Sequence, residues 1–520
     1  MTDGILKPLI IEPGFNKNNT VYSSRAQWID GDKVRFRSGY PEKIGGWHRI
    51  QTTSTVSARV RAIHTWADLR GQKFIALGHH KGLSLYRSGT DYINITPTDF
   101  VSGNISNGTL FGYGAGPYGG NYATTSDIGW NETPTSVSGG LEAELTTWSL
   151  DNFGEDLFCT PKGGKIYRWR RSEINERASA VSGAPTKNNF TLIAEPTPYL
   201  VTYGTCVLGG AFDPLLIRWP DLDDFTKWTP SITVTAGDYR IQGGSKIIGA
   251  VKTKRETLVF TDDVVYSQTL EGGDNIFNFE RLGDNCGLLS QNAAIDVNAV
   301  VYWMGTGSFY RYGGAVEPFR TPIDEAIFDR TKDTSLNYSQ KEKIYSGINP
   351  RFNEVWWVYP SKFSDENDRY IIYNYQDDLW VDGTINRTTW IGGDIFEQPI
   401  ATDEDGFMYY HESEPKNADS LVMRSWIKTG IFDIEDKLFF IDKYIPDINI
   451  NEKMNMTVIG KKYPNAPTIT KGPFMITNDT QKINLRLRAR QLQLMYESSV
   501  LNGDFEFGLQ RINIQPDGER

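Results

Sequence analysis

Seven times between residues 74 and 410 the chain repeats one phrase: an apolar run, a turn containing Gly or Asp, then a second apolar run ending in an aromatic. Phe74–Leu77 leads to Gly82–Tyr86, Leu157–Cys159 to Gly164–Trp169, Cys206–Leu208 to Leu215–Trp219, and Leu258–Phe260 to Val264–Tyr266. Val300–Trp303 leads to Ser308–Tyr312, Val355–Tyr359 to Tyr370–Tyr373, and Pro399–Ala401 to Phe407–Tyr410. Short apolar runs bounded by turn residues form hairpins. A hairpin recurring every ~40–50 residues has the period of propeller blades. The expected fold is therefore all-β, a β-propeller of about six to seven blades. Residues 22–50 are free to supply a closing strand, which leaves the blade number open.

Composition agrees with that reading. Aromatics are 13% of the 520 residues, with 14 Trp and 26 Tyr, and there are 50 Gly. Aromatic and β-branched side chains suit a pleated, half-buried surface. Length alone allows roughly three domains, and burying enough area is no obstacle at this size. No run approaches the ~20 apolar residues that a membrane span needs. The N-terminus lacks the basic-then-apolar plan of a secretory signal, so synthesis in a cytoplasm is expected. Three cysteines at long spacings make neither a disulfide framework nor a metal site. The net charge of −10, from 54 basic and 64 acidic residues, argues against a surface that grips nucleic acid throughout. It is compatible with a wall along which DNA slides without being held.

The chain divides into five stretches. Residues 1–55 form an extended N-terminal segment containing a turn and strand over Trp28–Arg37, where Lys33, Arg35 and Arg37 are expected on one face because side chains alternate. Residues 56–98 form the first blade. Residues 99–145 are a Gly/Ser/Tyr-rich insertion centred on Gly112–Gly120, and a loop of that length is usually functional or disordered. Residues 146–415 supply the remaining blades, with a short helix expected at Ile323–Phe328. From 416 to 520 the pattern becomes long alternation, as in Met454, Met456 and Val458 or Ile483, Leu485, Leu487 and Ala489. That alternation predicts a C-terminal antiparallel β-sandwich-like domain.

Individual sites are chemically quiet. Gly114–Gly119 matches a dinucleotide fingerprint as a string, but no strand leads in, Pro117 interrupts it and no helix follows. His79 and His80 are adjacent, so on a strand they face opposite ways. The acidic runs at 221–224, 365–368 and 403–405 fit turns, where Asp and Asn favour the backbone geometry, and none has calcium-loop spacing. The basic knot of Lys165, Arg168, Arg170 and Arg171 around Tyr167 and Trp169 is read as blade structure. No catalytic, metal or cofactor residue is expected, and the chain is not expected to be an enzyme. The candidate partner- or DNA-facing residues are Tyr113 and Tyr118 in the insertion, and Arg486, Arg488 and Arg490 along one strand. Three like charges on one face repel, so they should meet water, acidic groups or phosphate.

The order of several phrases resembles a known family. Arg25–Arg37 followed by Pro41–Trp47, the Gly112–Gly120 loop, Gly283–Leu288 before Val300–Gly305, and Tyr373–Tyr375 before Leu379–Trp380 are similar to segments of the packaged-DNA stabilisation proteins of short-tailed bacteriophages. These proteins are also called tail hubs or nozzles. Arg486–Arg490, Phe507–Gly508 and the closing Gln515–Arg520 resemble their C-terminal segment. One departure is Ala489, where the family pattern expects a Gly, a residue that often marks a bulge. The resemblance implies a homo-hexameric ring below the portal and its head-to-tail adaptor ring. Such a ring retains packaged DNA, anchors tail fibres or tailspikes and in some members a needle, and conducts the double-stranded genome at ejection without sequence specificity. The expected location is the virion tail, after synthesis in the host bacterial cytoplasm. The alternative is a host-surface propeller that binds or cleaves glycans. Turns such as Thr402–Phe407 lack the repeated sialidase pattern.

Overall fold

The computed structural model describes residues 5–517 except 53, 110–141, 274, 394, 434–436 and 464. Among the described residues, seven four-stranded antiparallel sheets succeed one another as blades. They span 60–94, 148–180, 188–240, 247–283, 294–319, 345–384 and 389–413. The first strand of each blade lies against the first strand of the next, and Thr389–Ile391 of blade seven returns to Val60–Ala67 of blade one. The chain is a closed seven-bladed β-propeller.

The hairpin phrases are the middle two strands of each blade. Val355–Tyr359 and Tyr370–Tyr373, for example, lie in Glu354–Tyr359 and Arg369–Asn374, paired from Glu354–Asn374 to Tyr359–Arg369. One phrase is displaced. The first strand of the third hairpin is Leu200–Cys206, so Val207 and Leu208 form an exposed turn where an apolar run had suggested strand. Trp356 stacks on Trp390 of the next blade at 4.5 Å, and Trp357 on Trp380 at 6.1 Å. The first contact is possible because Gly347 stands beside Trp390: a Cβ there would lie 2.0 Å from its ring. Each such side chain, fully buried, contributes about 1.5–3 kcal/mol. The short helix forms at Asp324–Phe328, burying Ala326 and Ile327.

Blade seven has only three strands from its own stretch. Its outer strand is Gly46–Arg49, paired with Met408–Ser413. Two glycines admit this strand. A Cβ on Gly45 would lie 2.4 Å from Glu412 Cα, and one on Gly46 2.5 Å from the Asn417 nitrogen. The propeller ring is thus locked by chain from outside the hairpin repeats.

The C-terminal β-sandwich-like domain is built from both ends of the sequence. Ile5–Pro8 pairs with Arg511–Pro516, which pairs with Phe439–Ile445, itself paired with Ile483–Ala489. Gln27–Asp32 pairs with Ser425–Thr429, next to Gln491–Ser498 and Met454–Lys461. Val34–Arg37 and Tyr40–Lys43 form a hairpin beside Asp504–Phe507. The alternation read from sequence is explicit here: Met454–Lys461 is buried at every second residue, and so is Ile483–Ala489. Trp28, Phe36, Tyr496 and Phe507 meet in the core, with Trp28–Phe507 centroids 6.0 Å apart. The segment 1–55 therefore contributes strands to two neighbours.

The expectation that Lys33, Arg35 and Arg37 share a face is corrected. Lys33 is in the left-handed region at φ 58°, which breaks the alternation before the strand begins. Lys33 and Arg35 are buried and Arg37 is exposed. A bulge does occur in the arginine-rich strand, at Arg486 with φ 47°, where its pairing with Phe439–Ile445 slips between Ile441 and Lys443. The side chain of Ala489 packs inward instead.

Candidate functional site

The insertion leaves blade one after Tyr92–Asn94 and returns at Trp148, so it springs from the face where the innermost strands begin. Its stem is described. Gly108–Thr109 pairs with Glu142–Ala143, and the Asn107 side chain accepts the Leu145 N–H at 2.7 Å. Three contacts fasten it to the propeller. Lys343 Nζ donates to Ser106 Oγ at 2.7 Å, Gln340 Nε2 to the Asn107 carbonyl at 3.2 Å, and Arg61 Nη2 to the Ile105 carbonyl at 3.3 Å. Tyr113 and Tyr118 lie outside the described residues.

Beneath the stem sits an ion cluster with an excess of cations. Glu366 receives Arg59 at 3.1 Å, Arg61 at 2.7 Å and Lys343 at 3.0 Å. Lys343 has no exposed side-chain surface. Burial, then the nearby Arg61 charge, lowers its ammonium to about 8 against the attraction of Glu366. Arg61 is also lowered by burial, and its Nε and Nη1 have no hydrogen-bond partner. Lys162 bridges to Glu342 at 3.0 Å on the same face.

Two side chains bridge the propeller ring where the innermost strands begin. Gln291 and Asn292, in the turn before the first strand of blade five, reach across the ring. Gln291 donates to the Trp148 carbonyl at 2.9 Å and accepts from Thr147 at 3.0 Å. Asn292 donates to the Arg61 carbonyl at 3.3 Å, and its own carbonyl takes the Ser346 N–H at 2.6 Å. What remains near the mouth is a cavity of about 100 Å³ lined by Lys162, Ser290, Gln291 and Glu342 among others.

The other sequence candidates are separate from this face. Arg486 and Arg488 point outward from Ile483–Ala489 and Arg490 follows it. Arg488 pairs with Asp517 at 2.6 Å, and Arg490 stands over the Tyr463 ring at 5.1 Å. The basic knot is engaged within the blades: Lys165 with Asp99, Arg168 with Asp156 and Arg171 with Asp68. The acidic turns are used internally too. Asp221 caps Thr235, Asp368 caps Ser361, and Asp403 accepts the N–H groups of Asp405 and Phe407. Among the described residues no group of His, Cys, Asp and Glu is placed to hold a metal ion.

Two buried polar clusters escaped sequence reading. In one, Arg35 of the N-terminal hairpin meets Glu354 of blade six at 2.8 Å and Glu412 of blade seven at 2.8 Å. Asn349 donates to both carboxylates, Trp356 Nε1 donates to Glu354 at 2.9 Å, and Arg35 lies 3.7 Å from the Phe352 ring centre. Burial pushes Glu354 above the usual carboxylate range, against the opposing pull of Arg35. In the other, Arg387 Nε donates to His411 Nε2 at 2.9 Å, with Trp47 and Tyr409 against the guanidinium. Burial and that charge hold His411 well below the ordinary imidazole range, so the ring is neutral with its proton on Nδ1. The only sequence signal for the first cluster is Glu354 heading the otherwise apolar run Val355–Tyr359.

No family model matches the chain, and no curated protein matches it. Among solved structures it is similar to a chain of the mitotic checkpoint complex crystal structure, at 10% identity and TM-score 0.42, over 70% of this chain and 91% of that one. It is also similar to YCF48 bound to D1 peptide, at 9% and 0.38, over 71% and 98%. BamB from Moraxella catarrhalis follows at 11% and 0.33, over 72% and 98%. Nothing is carried from proteins this distant, and the propeller assignment rests on the strand pairings.

Proposed function

We propose that this chain is a structural subunit of a short-tailed phage tail, a hub or nozzle protein that forms a sixfold ring beneath the portal and adaptor. In this reading it retains packaged DNA, anchors fibres or spikes and conducts the genome at ejection. One observation carries most of the support: segments bearing the family resemblance, far apart in sequence, pack on one another. Trp28 from the N-terminal phrase packs on Phe507 of the C-terminal one, with Phe36 against Trp28. Gly46 and Trp47 lock the blade ring, and Arg486–Ala489 lies in the sheet that holds Ile5–Pro8.

The bridged ring refines the reading. DNA would pass between subunits around the sixfold axis, because Gln291 and Asn292 hydrogen-bond across the propeller's own ring. A net charge of −10 suits a wall that repels phosphate. A ring of identical subunits needs a heterologous interface that closes. The test is electron microscopy of the purified chain, alone and mixed with portal–adaptor complexes. A sixfold ring with an open centre is expected. Monomers that ignore the adaptor would overturn the proposal.

A further inference from the structure

Where the N-terminal hairpin meets blade six, a cleft of about 410 Å³ opens between Arg37 and Ser38 on one element and Arg351, Asn353 and Gln376 on the other. Arg37 and Arg351 are both exposed, and among the described residues neither forms an ion pair. Arg351 lies 5.3 Å from the Phe352 ring centre, the ring that also carries Arg35. Arg37 acts on Glu42 and Arg351 on Glu414, in neither case close enough to form an ion pair.

The uncharged groups of the cleft are arranged in one sense. Asn353 Oδ1 accepts the Tyr375 hydroxyl at 3.1 Å, and Gln376 Oε1 accepts Asn353 Nδ2 at 2.5 Å. Asn374 Oδ1 accepts the N–H groups of Gln376 and Asp377 at 3.0 and 2.9 Å, while its Nδ2 donates to the Phe352 carbonyl. Each of these amide oxygens therefore already accepts at least one hydrogen bond within the fold. Gln376 Nε2 and the two guanidinium groups remain as donors. Asp377, also lining the cleft, supplies the opposing charge.

We propose that this cleft captures a carboxylate side chain from an acidic peptide segment of a partner protein. A guanidinium fork matches a carboxylate in a two-pronged geometry that no point charge reproduces. The single negative charge of a carboxylate also meets less repulsion from Asp377 than a more highly charged phosphate group would. A duplex, broad and convex, touches the rim of such a cleft without entering it. Ligand sites are concave, with a few placed polar groups, and this one has that form. The inference does not depend on the tail reading.

The experiment uses the full chain and two labelled heptapeptides of alternating Gly with Glu or with Gln, followed by fluorescence anisotropy at low salt. The Glu peptide is expected to bind at least about tenfold more tightly than the Gln peptide, and Arg37→Gln and Arg351→Gln each to weaken it about tenfold. Asp377→Asn is expected to tighten it. Arg511→Gln, an exposed change in the C-terminal domain, is expected to leave it unchanged, which separates the cleft from general charge. Both cleft arginines are exposed, so unaltered thermal unfolding of their variants keeps the comparison valid. Equal affinity for the two peptides, or binding that survives both arginine changes, overturns the proposal. A DNA duplex that displaces the peptide and itself needs Arg37 and Arg351 overturns it in favour of a phosphate site.

Discussion

At the residue scale, the N-terminal hairpin is held by a charge with nowhere else to go. Arg35 is 2% exposed and sits between two carboxylates, so removing it strands both. Arg35→Ala is expected to cost about 3–5 kcal/mol in urea unfolding, the usual penalty for breaking a buried pair from one side. Glu354→Gln is expected to cost less, because burial already favours the protonated carboxyl and Arg35 keeps Glu412. The second cluster gives a pH dependence. His411 is neutral when folded and free to protonate below about 6.5 when unfolded. The unfolded chain then binds more protons, so this group's contribution is lost as pH falls below that value, at about 1.4 kcal/mol per pH unit. Raised carboxyls such as Glu354 act in the opposite sense, so the readout is a difference. His411→Gln should show a flatter loss of urea midpoint between pH 6.5 and 5 than the parent chain, and parallel curves would refute the assignment. The first cluster was not legible beforehand, because Arg35 and Glu354 lie more than three hundred residues apart and no local pattern joins them. Arg387 and His411 are only 24 residues apart, but no motif marks them as partners.

At the element scale, what could be read was the strand with a strong local signature. The middle strands of each blade are apolar on both faces and end in aromatics, as in Glu354–Tyr359 with all six residues buried. The innermost strands were harder to see. Asn188–Ile193 begins with two asparagines, and its Thr191 is satisfied by Ser149 and Thr160 of the neighbouring blade, a context that the local sequence does not carry. The third hairpin was placed late because Val207 and Leu208 read as strand while lying exposed in its turn. Of the candidate site, the insertion was visible from its Gly content, but the residues that seat its stem, Arg61, Gln340 and Lys343, look like ordinary polar positions. The closing strand offers the sharpest test at this scale. Gly46→Ala places a methyl group against the Asn417 backbone. It is expected to cost about 1–3 kcal/mol, the range for forced overpacking, measured as a lowered thermal midpoint. An unchanged midpoint would show that the strand does not need its close approach.

At the scale of the whole molecule, the propeller and the C-terminal domain share one segment and one continuous core. Gln27–Asp32 belongs to the sheets of the C-terminal domain while Gly46–Arg49 completes blade seven. Buried side chains run from Trp357 and Trp380 through Phe15 and Phe36 to Tyr496. Tryptophan fluorescence and far-ultraviolet dichroism are therefore expected to report one coincident unfolding transition. Two separated transitions would mean that the shared segment couples the halves only weakly. The same arrangement orders events during synthesis. Gly46–Arg49 emerges long before its partner Met408–Ser413, and Ile5–Pro8 precedes Arg511–Pro516 by about five hundred residues, an interval on the order of half a minute or more at ~5–20 residues per second. Until then the early strands have no mate, and every nascent or prematurely released chain carries an open ring with bare strand edges, the form that quality-control proteases and chaperones recognise.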